Sequence, residues 1–564
     1  MKQTFNHYMK AAGLVFATLA AGACSDTWDD HYAGGNGVSG SDVSLWQTIA
    51  SNDQLSNFAR VIDACGYKAS LDGDQAFTVF APTNDGFTAA QADSVIALFN
   101  EEKQSGVITK DNKAIKEFVQ NHIALYNYSV AATGQDTSLV MMNGKYLPFG
   151  YTKFAGQSLV SKNQLTKNGV LFTLANTASY TPNIFEYLKR DATLDSLANY
   201  LYSYNVYEFD PDQSVAGEIV DGQTTYLDSV TVLKNDVLNH YIGDINDEDS
   251  VFRMVVPNNS EWERLVAQYT PYFNYNNKVE KRDSMQYLYS HLFISNGTVF
   301  SMTSNTEQSL QDSAVSVNAR SYTTREQVYG FKGAKYYVYD DPRPFEPGGV
   351  FYGAEKVSCS NGIVYKVPTW NLHPTQTFMR KIYVEAENSN YRKEYEEDKS
   401  RVPSIVSVAS DNKQFYGKLS QNKYIEFLSK TKDGKPSVTY YVPDVLSNVP
   451  YDIKLVMAPA IAGDTAATDE QRKKLLVDVT LGYMRQDGTE KTEKMLSRKE
   501  CKKDEVDTLI VAENFVFPTC TYNVDPQVTL KIASSGRPPG SKKEEYQTSL
   551  RIDCIILEPK EETK

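Results

Sequence analysis

The chain has 564 residues, of which 41% are hydrophobic and 23% charged, and it carries a net charge of −13. That length accommodates about three or four domains, and the hydrophobic share belongs to packed globular domains rather than to disorder. The acidic balance, with a pI near 5.2, argues against a nucleic-acid partner, which demands a basic face.

The first residues set the expected location. Met1–Lys10 carries Lys2 and Lys10 and no acid, Ala11–Ala23 is apolar and small, and Cys24 follows. A basic stretch, a short apolar stretch and small residues before a cleavage point make a secretory signal. The apolar part is too short to span a bilayer, which takes ~20 residues. Ala21-Gly22-Ala23-Cys24 resembles the lipobox of bacterial lipoproteins, with Ala21 where that pattern prefers Leu or Val. The resemblance implies a signal peptide at 1–23 and an acylated Cys24, with the lipid as the membrane anchor. Ser25–Asp30 (SDTWDD) resembles the acidic surface-export signal of Bacteroidetes lipoproteins, which implies the outer face of an outer membrane. Residues 24–43, acidic and then Gly-rich, read as a flexible tether.

Beyond the tether the chain repeats itself. Ser44–Ile62 (SLWQTIASNDQLSNFARVI) aligns without a gap on Asn183–Leu201 (NIFEYLKRDATLDSLANYL), and apolar spacings of three and four predict a pair of amphipathic helices in each. Phe77–Phe87 (FTVFAPTNDGF) aligns on Phe252–Trp262. In both, a buried strand is expected to end at a proline, Pro82 or Pro257, which cannot continue a central ladder. Small polar residues that favour helix N-caps come next, Thr83-Asn84-Asp85 and Asn258-Asn259-Ser260. The surroundings of His122 match those of His291, and Asn168-Gly169 matches Asn361-Gly362, each a hairpin signal between strand-like runs.

Four matches in one order make an internal duplication whose blocks resemble the fasciclin-type adhesion domain. The first copy, 44–178, carries the pattern well. The second, 183–370, departs from it at Arg253 and Val256 and is longer between His291 and Asn361. The resemblance implies an α+β fold, β-sandwich domains decorated by helices, used for adhesion or macromolecular recognition. The family's second block often reads Tyr-His; here Asn121-His122 and Ser290-His291 stand instead, so no receptor motif carries over. Residues 376–560 change pattern to about eight strand-like runs with turn signals between them, an expected all-β sandwich or jelly roll. Its YYVPDVLSNVPYDIKL is similar to strand pairs of jelly rolls in glycan-binding proteins and brings no binding residue.

Little in the sequence points to catalysis. The histidines are scattered without metal-ligand spacing, no nucleophile elbow or phosphate loop occurs, and Gly243–Ser250 lacks the ligand spacing of a calcium loop. His122 and His291 are expected to be interior and hydrogen-bonded. Cysteines 65, 359, 501, 520 and 554 form no C-x-x-C pair; one disulfide among Cys501, Cys520 and Cys554, or buried free thiols, fits equally. No cofactor or metal is expected. Two Tyr-rich segments are the candidate ligand-binding sites: Tyr269, Tyr272, Phe273 and Tyr275 in one, Tyr336, Tyr337 and Tyr339 in the other. Flat rings beside amides suit sugar stacking; packing within a strand is the alternative. The expected function is therefore non-catalytic adhesion or recognition of an extracellular protein. The competing expectation is an accessory glycan-binding protein beside an outer-membrane transporter.

Overall fold

Six consecutive buried residues, Phe77–Pro82, form the central strand of the first copy. In the computed structural model, which describes residues 42–560 apart from 133, 221–222, 297, 303–313, 316–339, 342 and 377, this strand runs parallel to Gly169–Leu174 and antiparallel to Ile123–Leu125. Cys24, Tyr336, Tyr337 and Tyr339 lie outside the described residues. Two compact units make up the chain, Met1–Thr181 and Pro182–Lys564. No helix among the described residues is long and apolar enough to cross a membrane.

In the first unit the seven strands form one sheet, with Ile123–Leu125 at one end and Thr137–Val140 at the other. A bridge between Ala124 and Met141 joins those ends, so the sheet rolls closed. Alternation along Phe77–Pro82 then has two destinations. Phe80 points into the roll, stacked 3.6 Å from Phe154 and 5.1 Å from Phe172. Phe77, Val79 and Ala81 point outward against the helices Leu45–Ala50 and Ser56–Ala64. The first helix begins at Ser44, whose side chain and that of Gln47 make a reciprocal capping box.

The second copy repeats this plan. Phe252–Pro257 runs parallel to Gly362–Val367 and antiparallel to Val299–Ser301, and Asn183 with Glu186 makes the equivalent capping box. The polar residues after the strand behave differently in the two copies. Asn258 caps the helix Asn259–Tyr269, whereas Thr83–Gly86 forms a turn and the next helix starts later, capped by Thr88. Asn84 and Asn259 instead brace the preceding helix pair: each amide donates to a backbone carbonyl, Asp53 or Ala192, and each oxygen accepts from Asn57 N or Ser196 N.

The C-terminal region is all-β, two sheets facing each other. One places Lys423–Phe427, Leu550–Pro559, Pro450–Met457 and Asp507–Val516 side by side; the other places Ser437–Val442, Val528–Ser534, Lys474–Met484 and Glu490–Cys501. Val438, Tyr440, Val479, Leu481, Leu530 and Ile552 fill the space between. That core continues without a break into Trp262, Phe273 and Phe293 of the second copy, so copy and sandwich share one hydrophobic interior.

Candidate functional site

The expected sugar platform is not a surface. Tyr269, Phe273 and Tyr275 are 1%, 0% and 2% exposed, because Thr270–Asn277 wedges into the sandwich. Ser447 N donates to Tyr272 O at 3.0 Å, and Ser447 Oγ donates to Pro271 O at 2.7 Å. Cys520 N donates to Asn274 O at 2.7 Å, and the Tyr275 hydroxyl donates to Tyr522 O at 2.9 Å. Tyr272 is half-buried and its ring lies near those of Tyr269 and Phe378. Phe273 meets Phe293, Phe378 and Tyr522 at 5.5, 5.6 and 6.0 Å between centroids. Tyr269, Phe273 and Tyr275, read as ligand-binding faces, are corrected to an internal joint, since sealed rings offer no face to a sugar; Tyr272 belongs to the same joint through its carbonyl, which accepts from Ser447 N. The shallow hollow beside them, lined by Asn274, Asn277, Arg282 and Gln486 among others, has about 160 Å³, well below the ~300 Å³ where ligand pockets begin.

The motifs shared by the copies also turn inward. Asn168 is 4% exposed; its Oδ1 accepts from Leu45 N and its amide donates to Leu71 O and Gly73 O. Asn361 does the same with Ile184 N, Ile245 O and Asp247 O. The hairpin turns are Lys167-Asn168 and Ser360-Asn361, each followed by a glycine that already belongs to the strand. A Cβ on Gly169 would lie 2.2 Å from Phe77 O, and one on Gly362 1.8 Å from Phe252 O, so this close strand approach requires glycine. His122 is fully buried: Nδ1 donates to Phe118 O at 2.7 Å, and Nε2 accepts from Ala178 N at 3.0 Å. Burial pushes its pKa down to about 4, which keeps it neutral and structural. His291, half-buried, bonds Tyr287 O at 2.7 Å. The acidic loop Gly243–Ser250 is held by its own bonds and by the Asn361 amide, which donates to Ile245 O and Asp247 O. The five described cysteines are free thiols, so no disulfide joins Cys501, Cys520 and Cys554.

What faces outward is a row on the rolled sheet of the first unit that sequence reasoning did not single out. The bridge Ala124–Met141 places Leu125 beside Val140, and Val140 pairs with Tyr146. These are 38%, 46% and 46% exposed, and the adjoining Tyr126 is 70% exposed. Tyr126 has φ +68°, a left-handed conformation uncommon for a bulky residue. It is held there because its N–H donates to Ala76 O and its carbonyl accepts from Thr78 Oγ1 at 2.8 Å. A strained backbone presenting an aromatic ring to solvent marks a recognition candidate.

With the geometry in hand, comparisons with known proteins place residues 53–177 in the Fasciclin domain family model. No curated protein matches the chain. Among solved structures, a FAS1 domain pair from the insect cell adhesion molecule Fasciclin I is similar at 12% identity and TM-score 0.19, over 58% of this chain and 99% of that one. The xylan-binding domain of a Paenibacillus barcinonensis xylanase is similar at 7% identity and TM-score 0.19, over 32% of this chain and 93% of that one. A Clostridium thermocellum endo-1,4-beta-D-xylanase complexed with xylohexaose is similar at 10% identity and TM-score 0.19, over 32% of this chain; the match spans about a quarter, 26%, of the xylanase chain.

Proposed function

We propose that this chain is a non-catalytic recognition protein that binds an extracellular protein through its fasciclin domain. The observation carrying the reading is the exposed row Leu125, Val140 and Tyr146 with the strained Tyr126, all within the matched residues 53–177. Fasciclin domains are known in cell adhesion proteins, and an apolar, aromatic surface suits a protein partner. The lipobox-like AGAC and the acidic SDTWDD support a lipid-anchored position on the outer face of an outer membrane. The glycan reading loses its main support, because the first Tyr-rich segment is spent on the internal joint.

The test uses beads coated with the full chain and panned against immobilised extracellular-matrix proteins and a glycan array. Changing Tyr126→Ala and Val140→Ser together is expected to abolish protein binding while the melting temperature holds, since exposed substitutions stay within ~0.5 kcal/mol. Binding to glycans alone, or protein binding that survives the double change, would contradict the reading.

A further inference from the structure

The sandwich contains a cluster of carboxylates that the recognition reading leaves unused. It sits where two short strands share one edge of the last strand, Leu550–Pro559. Ile382–Glu385 pairs with the stretch from Cys554 to Leu557, and Lys423–Phe427 pairs with the stretch from Leu550 to Ile552. Asp553 falls in the gap between them. On the opposite edge the register with Pro450–Met457 slips at this point, between Leu455–Ile555 and Met457–Ile552. Such a bulge turns neighbouring side chains out of strict alternation. Asp553 and Cys554 are therefore drawn toward the same spot, their ligand atoms within 4.8 Å of each other and of Glu385.

The hydrogen bonds at the cluster are few. Ser420 N donates to both Asp553 oxygens at 3.1 and 3.2 Å, Ser420 Oγ donates to Glu385 Oε1 at 2.6 Å, and the Cys554 thiol donates to Asp553 Oδ2 at 3.7 Å. Glu387, in the turn that follows the strand Ile382–Glu385, acts on both Asp553 and Cys554 through space. Asp553 is 2% exposed. Oε2 of Glu385 and both carboxylate oxygens of Glu387 are sealed from solvent and meet no donor. Lys423 acts on Glu387 through space, and three sealed carboxylate oxygens that meet no donor favour a further, closer positive charge.

We propose that Glu385, Glu387 and Asp553 hold a calcium ion in this gap. The donors are hard oxygens with no histidine among them, which favours calcium over zinc. The thiol is spoken for as a donor to Asp553. A ligand oxygen of Glu385 and one of Asp553 lie within 4.8 Å of each other, a separation that one ion with calcium–oxygen bonds of ~2.4 Å can bridge. The site ties the first strand of the sandwich to the last.

The full chain, dialysed against EGTA, is to be titrated with calcium chloride while its melting temperature and bound metal per chain are measured. One calcium per chain and a saturable rise of about 3 °C or more are expected, with a smaller response to magnesium. Glu387→Gln keeps the shape, folds in EGTA, and is expected to weaken calcium binding by about tenfold or more through the lost charge. Chains that retain no calcium and melt at the same temperature in EGTA and in millimolar calcium would overturn the proposal. So would Glu387→Gln binding calcium as the parent does.

Discussion

The two copies of the repeat differ less in their framework than in what they leave outside it. In the first, Leu125 comes three residues after His122 and faces Phe77 in the sheet. In the second, the helix Arg282–Ser295 continues past His291, and the residue facing Phe252 is Ser301, ten residues on. The counterpart of Tyr126 is therefore Met302, whose N–H donates to Val251 O as that of Tyr126 does to Ala76 O; it is half-buried where Tyr126 is 70% exposed. The second copy also sends Thr270–Asn277 into the sandwich. A duplicated framework has been divided between a copy with an outward face and a copy joined to another domain.

The largest expected effect comes from breaking that joint. Phe273→Ala removes a ring with 0% exposure and should cost ~3–5 kcal/mol, read as a lower denaturant midpoint for the second unit and none for the first. Acid should act on the first unit. Unfolded, His122 titrates near 6.5; folded, its pKa is pushed down to about 4. A depressed folded value means the stability is complete above pH 6.5 and lost as pH falls from 6.5 through 4. The loss is up to about 3 kcal/mol, checked by denaturation at pH 7 and pH 4.5 with His122→Gln as the reference that removes the dependence.

Next come the paired asparagines. Asn168→Ala and Asn361→Ala each remove three hydrogen bonds from a buried side chain. Each should cost ~2–3 kcal/mol, the first in the first unit alone and the second in the second unit alone. Equal losses in both units from either change would break the comparison. Smallest is Tyr275→Phe, which deletes one bond to Tyr522 O and should cost about 1 kcal/mol.

The framework was readable in the sequence because it is written in local signals. Prolines ending strands, apolar spacings of three and four in the helix pairs, and the Asn-Gly pairs each act within a few residues of themselves. The asparagines exceeded the hairpin expectation, since their partners Leu45 and Ile184 lie more than a hundred residues upstream. The joint was misread for the same reason. Nothing within QYTPYFNYNN shows that Ser447, Cys520 and Tyr522 will cover it, and an aromatic run destined for a core looks like one destined for a ligand. The strand Glu490–Cys501 escaped notice because its alternation is between charged residues facing solvent and partly buried ones such as Met495 and Leu496. Tyr126 left no sequence signal, because its strained backbone is imposed by Ala76 and Thr78 across the sheet.

The division of labour between the copies rests on the second one sharing a single core with the sandwich. Native-state hydrogen exchange on the full chain carrying Phe273→Ala measures this directly. Amides of Phe252–Pro257 and of Val528–Ser534 are expected to lose protection together, by the same free energy, while those of Phe77–Pro82 keep theirs. Sandwich amides that stay protected while the second copy opens would contradict the account.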